Sequence, residues 1–461
     1  MPCAERATPS GRREARPRPV PAGAFSQVAP VRIPVPRLRE ATHVTTVSAA
    51  SAEALAVERP AHRDGNVLRW LGAYTASMVG DNVYYLALSW AAVQAGSPAQ
   101  AGVVMAVSAL PRALLMLGGG VIADRLGPRR VVIGSDVVRC ASVLGVAALL
   151  WLAGPGLWPL AVLALVFGAV DAVFMPAVGA LPARLTSRGQ LARVQGMRGL
   201  AIRFASVVGA PLGGLGVALG GAAAAFGFAG LLIAVSVPLL VSVRMRDLPP
   251  DDTAGAGDST AWRDLVGGLR YIRHHRVLAP LMLAIALGDL GFVGPLNVGL
   301  ALLADQRGWG ASGMGWVLAG FSIGAGAVSL LLTVRGRLPR AGSLAGCSIF
   351  VGSAAVGALA YVPNVLGAAG VAVLVGLLTG LSGALCGALL QTQSEPAYLG
   401  RVTAVAGLAS LGLAPLGMPL SAAAIGAWGT GPVFVASAAV CALGGVVALA
   451  APALRRAELP H

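Results

Sequence analysis

Asp81, Asp171, Asp289 and Arg112 each fall close to the middle of an apolar stretch of the chain. A charge at mid-depth in hydrocarbon costs about 2.5–3.5 kcal/mol even on permissive scales, so such residues mark an ion pathway or a proton relay by default. A carboxyl withheld from water keeps a proton more readily than one in water. Such a group can load a proton on one side of a membrane and release it on the other. The competing reading is a buried ion pair, for instance Asp81 with Arg112, that only fixes helix packing. Asp81 ranks first and Asp289 second as proton-coupling residues, because they occupy equivalent places in the two halves of the chain. Near them, Asn82, Tyr84, Tyr85, Trp90 and Asn297 are the candidates for lining a substrate cavity otherwise built from Ala, Gly, Leu and Val.

Positioning those charges requires membrane spans, and the composition calls for them. Apolar residues make up 56% of the 461 and charged ones 11%, against about a quarter charged in soluble domains. All 34 basic residues are arginine. The net charge of +15 would suit nucleic acid, but the arginines lie in the N-terminal tail and in short loops. Beside membrane spans that excess is an orientation signal, and no nucleic-acid partner is expected. Twelve apolar blocks begin near residues 69, 99, 131, 157, 196, 222, 277, 311, 342, 364, 402 and 431, each near the ~20 residues a helix needs to cross the bilayer. The fifth and sixth are divided only by a glycine-rich stretch at 220–227. Alternate loops carry sixteen arginines against one, Arg307, in the others. The positive-inside rule therefore places both termini in the cytoplasm of a multi-pass cell-membrane protein.

The expected organisation is a disordered cytoplasmic tail over 1–66 and a six-helix bundle over 67–243. A linker over 244–276 with an interfacial helix near Trp262–Ile272 follows, then a second bundle over 277–454 and a short tail over 455–461. His274 and His275 read as solvated or lipid-facing rather than as metal ligands. The halves repeat: Gly80-Asp81 and Gly288-Asp289 stand 208 residues apart (289 less 81), as do Arg193-Val194 and Arg401-Val402. Ala205-Ser206 with Ala210-Pro211-Leu212-Gly213 returns as Ala409-Ser410 with Ala414-Pro415-Leu416-Gly417. Parallel duplication of a bundle is a known transporter architecture.

Between the second and third blocks lies a basic, glycine-bearing turn: Gly120, Asp124, Arg125, Gly127, Arg129 and Arg130. It resembles the loop between the second and third helices of the major facilitator superfamily of transporters. That resemblance implies an all-α integral membrane protein of twelve transmembrane helices in two pseudo-symmetric six-helix bundles. It also implies that Asp124 and the loop arginines latch the bundles together on the cytoplasmic side. Asp136 and Arg139, one helical turn apart on the third span, are grouped with that latch. Gly209, Pro211, Gly213 and Gly214 form a helix-packing element similar to the Gly-Pro-x-x-Gly-Gly of superfamily antiporters, with the proline displaced by one position. Gly80-Asp81, Ala109–Arg112, Trp262–His275 and Leu390–Val402 look like the macrolide-efflux and siderophore-export branch. That branch implies export of a drug or secondary metabolite such as a siderophore, driven by the proton gradient. The expected protein exchanges a hydrophobic or amphipathic small molecule for protons, as a monomer without a cofactor.

Other classes fit less well. The five cysteines show no metal-ligand or redox spacing, and no metal site is expected. Without lysine there is no phosphate-binding Gly-x-x-x-x-Gly-Lys loop, no span pair offers a catalytic constellation, and no enzyme is expected. No repeated polar filter suggests a channel. An uptake symporter of the same fold and a non-transporting membrane sensor remain the alternatives.

Overall fold

The computed structural model describes residues 61–154, 156–186, 190–244, 261–335, 340–395 and 398–458. Most of the expected tail over 1–66 and the Asp/Gly-rich part of the linker lie outside them. Helices that are apolar on every side bury some faces on one another and offer the rest to lipid, which demands that each backbone be satisfied within its own helix. The chain complies with α1 (Gly65–Ala95), α2 (Pro98–Leu126), α3 (Pro128–Ala153) and α4 (Leu157–Leu185). The next run, Leu191–Ser242, is 52 residues long and broken at Gly220 and Gly221, the latter at φ 70°. It is therefore two antiparallel spans, α5 (191–219) and α6 (222–242). A Cβ on Gly216 would sit 3.3 Å from Ala225 Cα, as a tight reversal requires. After α7 (Ala261–His274) come α8 (Leu278–Gly294, a π-turn at Pro295–Gly299, and Leu300–Gln306) and α9 (Gly310–Arg335). The chain then runs through α10 (Ala341–Leu359), α11 (Val365–Gln393), α12 (Leu399–Gly412 with Ala414–Trp428) and α13 (Thr430–Ala450).

Among the described residues, ten stretches are long and apolar enough to cross a membrane. One of them is the broken run, which counts twice, and α1 joins them as a more polar span carrying Asp81. The result is twelve spans in two six-helix bundles, each starting within five residues of the position expected from hydropathy.

Local chemistry sets the turns. Ser97 and Gln100 form a reciprocal capping box at the start of α2, with Pro98 in its first turn. Gly127 alone separates α2 from α3, at φ 84°, a conformation costly for any side chain. Within each bundle, backbones approach through glycine, as small residues permit where lipid is the competing solvent. A Cβ on Gly168 of α4 would lie 2.0 Å from the Ser108 carbonyl oxygen of α2. One on Gly376 of α11 would lie 2.0 Å from that of Phe321 in α9.

The two bundles touch closely near the face opposite the arginine-bearing loops. Ser89 donates to the Asn297 carbonyl at 2.8 Å and Gln94 to Asp305 at 2.6 Å. Gly102 of α2 abuts Ala422 of α12, where a Cβ would come within 2.5 Å. Gly214 of α5 meets the Ala311 carbonyl of α9 just as tightly. Exposed Trp151, Trp158 and Trp428 lie at span ends on this same face, matching the aromatic belt of a membrane interface. Arg203, well inside α5, is exposed.

Because Gly168 stands against backbone, Gly168→Val is expected to lower the thermal unfolding midpoint in detergent, corresponding to about 1–3 kcal/mol of overpacking. Gly134→Ala, where a Cβ meets nothing within 4 Å, should hold the midpoint or raise it.

Candidate functional site

Asp136 and Arg139 lie eight and eleven residues past Pro128 on α3, hence ~12 and ~16 Å from its start at 1.5 Å per residue. Their spacing puts both on one face, and that face points into the first bundle. Both are fully buried. Arg139 is a hub: Nη1 donates to Asp81 Oδ2 at 2.8 Å and to Asp171 Oδ1 at 3.4 Å. Its Nη2 donates to Ser77 Oγ at 2.8 Å and to Asp136 Oδ1. The Phe174 ring lies 4.0 Å from the guanidinium carbon, adding a cation–π contact. Ser77 and Ser236 donate to the two oxygens of Asp136. On α4, Asp171 Oδ2 accepts from Tyr85 at 3.1 Å and from Arg112 at 3.4 Å.

Several expectations change. The pair Asp81 with Arg112 does not form: Asp81 belongs to Arg139 and Arg112 to Asp171. Asp136 and Arg139 do not belong with the surface loop, because a charge that far inside a span must find partners in the bundle. The cluster holds three carboxyls and two guanidiniums. Asp81 Oδ1 is buried without a hydrogen-bond partner. Asp81 is 6% exposed and lies within the first bundle rather than on the cleft.

Asp289 differs from its counterpart. Its oxygen accepts from Ser410 of α12, and it lines a cavity of about 330 Å³ inside the second bundle. No described ion pair involves it. Arg203 of the first bundle reaches the same cavity, a residue that position-by-position reading passed over as part of the fifth span. Asp171 corresponds by the 208-residue repeat to Thr379 (379 less 171), also on the Asp289 cavity wall. The helix α10, counterpart of α3, carries no charged residue. The helices repeat between the halves, whereas the described ion pairs all lie in the first.

A separate cavity of about 270 Å³ lies between the bundles, with Asn82, Tyr85, Ser89, Ser206, Asn297 and Ser322 among its walls. Three cavity candidates therefore converge. Tyr84 does not join them: it is fully buried and stacked on Phe167 at 3.8 Å between ring centroids. Trp90 lines another cavity with Gln94, Trp151 and the 220–223 turn. A helix turns 100° per residue, so neighbours in sequence face different compartments.

The packing element does bring three helices together. Gly209 faces Asn82 Cβ and Gly213 faces Val83, both on α1, while Gly214 meets α9. Pro211 lies inside α5 without interrupting it. In the loop, Arg129 Nη2 donates to the Val241 carbonyl at the end of α6, at 2.7 Å, so it ties two helices of one bundle. Arg125 and Arg130 are exposed, and Gly127 makes the turn. The side chain of Asp124 and the position of Gly120 within its packing lie outside the described residues. Among those residues no ion pair links this loop to the second bundle. No described group of three or more His, Cys, Asp or Glu could hold a metal.

Arg139→Met would leave Asp81 and Asp136 without a cationic partner, and a cost of about 3–5 kcal/mol is expected from breaking such a set. The readout is the unfolding midpoint in detergent, and a wild-type value would rule out the hub.

The pattern of matches to known proteins agrees with this geometry. The chain is 28% identical over 424 residues to the multidrug efflux pump Tap of Mycolicibacterium fortuitum, covering 86% of this chain and 98% of that one. It is 27% identical over 290 residues to the enterobactin exporter EntS of Escherichia coli, covering 62% and 67%. The solved nucleoside transporter NupG superposes with a TM-score of 0.62 at 14% identity, over 86% of this chain and all of that one, a likeness of fold. The family model of the Major Facilitator Superfamily matches residues 70–409, and with twelve spans in two bundles around a shared cleft, the chain belongs to that superfamily of membrane transporters.

Proposed function

We propose that this transporter exports a hydrophobic or amphipathic small molecule in exchange for protons, by alternating access. The observation that carries the proposal is Tyr85, which lines the cavity between the bundles and donates to Asp171 of the charge cluster. A change of charge in the cluster thereby reaches the substrate cavity through one side chain. Three carboxyls against two guanidiniums leave the cluster one negative charge in excess, so a single proton neutralises it. Asp81, with one oxygen unpartnered, is the carboxyl that takes the proton. Protonation weakens its hold on Arg139, and α1, which also carries Asn82 and Tyr85, is released to move. The efflux and export activities in the names of Tap and EntS support the direction of transport.

Contacts between the bundles hold the face opposite the arginine-rich one together, and the arginine-rich face is cytoplasmic by the positive-inside rule. Substrate enters there, and Arg203 and Asp289 present one charge of each sign to it. On closure of this face, Asp124 and the exposed loop arginines engage the second bundle as a latch. The protein works as a monomer in the cell membrane.

In everted vesicles acidified inside, the wild type is expected to accumulate substrate. Asp81→Asn should cut proton-driven accumulation at least tenfold while retaining substrate counterflow, which needs no net protonation. Undiminished accumulation would remove Asp81 from the mechanism, and uptake in the opposite sense would favour a symporter. Arg203→Gln should raise KM while leaving the limiting accumulation ratio intact.

A further inference from the structure

The helix α7 is not accounted for by transport through the cleft. It docks on the start of α12: Tyr271 stacks on Tyr398 with ring centroids 4.4 Å apart and planes within 4°. Tyr271 Oη also accepts the Glu395 N–H at 3.3 Å. Gly268 allows the contact, since a Cβ there would lie 3.0 Å from the Arg401 carbonyl. Beside this seam opens a cavity of about 430 Å³ whose walls include Arg270, His274, His275 and Arg401.

The histidines have defined roles. His275 Nδ1 accepts from the N–H groups of Val277 and Leu278, at 3.3 and 3.2 Å. That nitrogen therefore carries no proton, and the ring's N–H is Nε2. His274 Nδ1 lies 2.8 Å from the Arg270 carbonyl, a contact that requires Nδ1 to be the donor. The guanidinium of Arg401 lies over the Tyr398 ring, 5.6 Å from its centroid. Two guanidiniums thus share one concavity with one imidazole donor, His275 Nε2–H, with Arg273 and Arg276 exposed alongside.

We propose that this cavity binds the phosphodiester headgroup of an anionic phospholipid. A lipid is favoured over a soluble phosphate by the surroundings. Val266 and Leu269, one turn apart on α7, are exposed next to Arg270. They give acyl chains an apolar surface where the guanidiniums receive the phosphate, as an interfacial helix does. The cavity also sits where α8 and α12 begin, on the arginine-bearing face, and basic pockets at that level suit anionic headgroups. The bound lipid fastens α7, the connection between the bundles, to the second bundle.

The test is native mass spectrometry of the full-length protein from nanodiscs of equimolar phosphatidylglycerol and phosphatidylcholine, with and without 20 mM inorganic phosphate. The wild type is expected to retain one phosphatidylglycerol at least tenfold in excess over phosphatidylcholine, and phosphate should not displace it. Arg270→Gln with Arg401→Gln should abolish the preference, and Arg270→Lys with Arg401→Lys should restore most of it. A second readout is the unfolding midpoint, which added phosphatidylglycerol should raise for the wild type and not for the glutamine pair. Equal retention of the two lipids by the wild type, an unchanged preference in the glutamine pair, or displacement by phosphate would each overturn the proposal. None of these results bears on export, which is read separately in vesicles.

Discussion

The interaction on which the first bundle depends is the accommodation of one guanidinium, Arg139, in a membrane interior with no water to receive it. An isolated charge there would be prohibitive, so the fold surrounds it with acids from three helices, the Ser77 hydroxyl and an aromatic face. That demand fixes the rotation of α1, α3 and α4 about their own axes, since Asp81, Asp136 and Asp171 must all converge. It also aims the neighbouring face of α1 at the cleft, which is why Asn82 and Tyr85 line the cavity between the bundles. In the proposed function, structure and coupling are the same set of contacts in this half.

The second bundle meets no such demand and is built differently. Its one mid-span acid, Asp289, is held by a serine and opens on a cavity. Close glycine contacts do the packing that ion pairs share in the first bundle. In the proposed function, one half carries the proton and the other gives most of the surface that a substrate meets. Arg203 reaching across from α5 is the charged side chain the first half contributes to that surface.

Much of this was legible in the order of residues. Hydropathy placed twelve spans to within a few positions, since an apolar run of bilayer length can adopt no other unstrained form in lipid. The 208-residue echo of Gly80-Asp81 revealed the duplication, and the arginine pattern gave the faces. The seam at Gly220-Gly221 was visible as glycine but not as a reversal, because a glycine pair is compatible with a continued helix until the partner helices are in place. The site was half legible. That Asp81, Asp171 and Arg112 were buried charges followed from their depth. Arg139 was misplaced because its nearness in sequence to a basic loop hid its depth of eleven residues inside α3.

Sequence by itself determined which segments enter the membrane, which face bears the arginines and which residues are too costly to be there without purpose. Those are one-dimensional quantities, set by the free energy of transferring each side chain into hydrocarbon. Only the tertiary structure decided the partners: Asp81 with Arg139, Arg112 with Asp171, and Tyr85 spanning cluster and cavity. Pairing depends on the rotation of each helix about its axis and on the close approach of backbones at glycine. Both are settled by packing among six helices at once, and no local pattern encodes them.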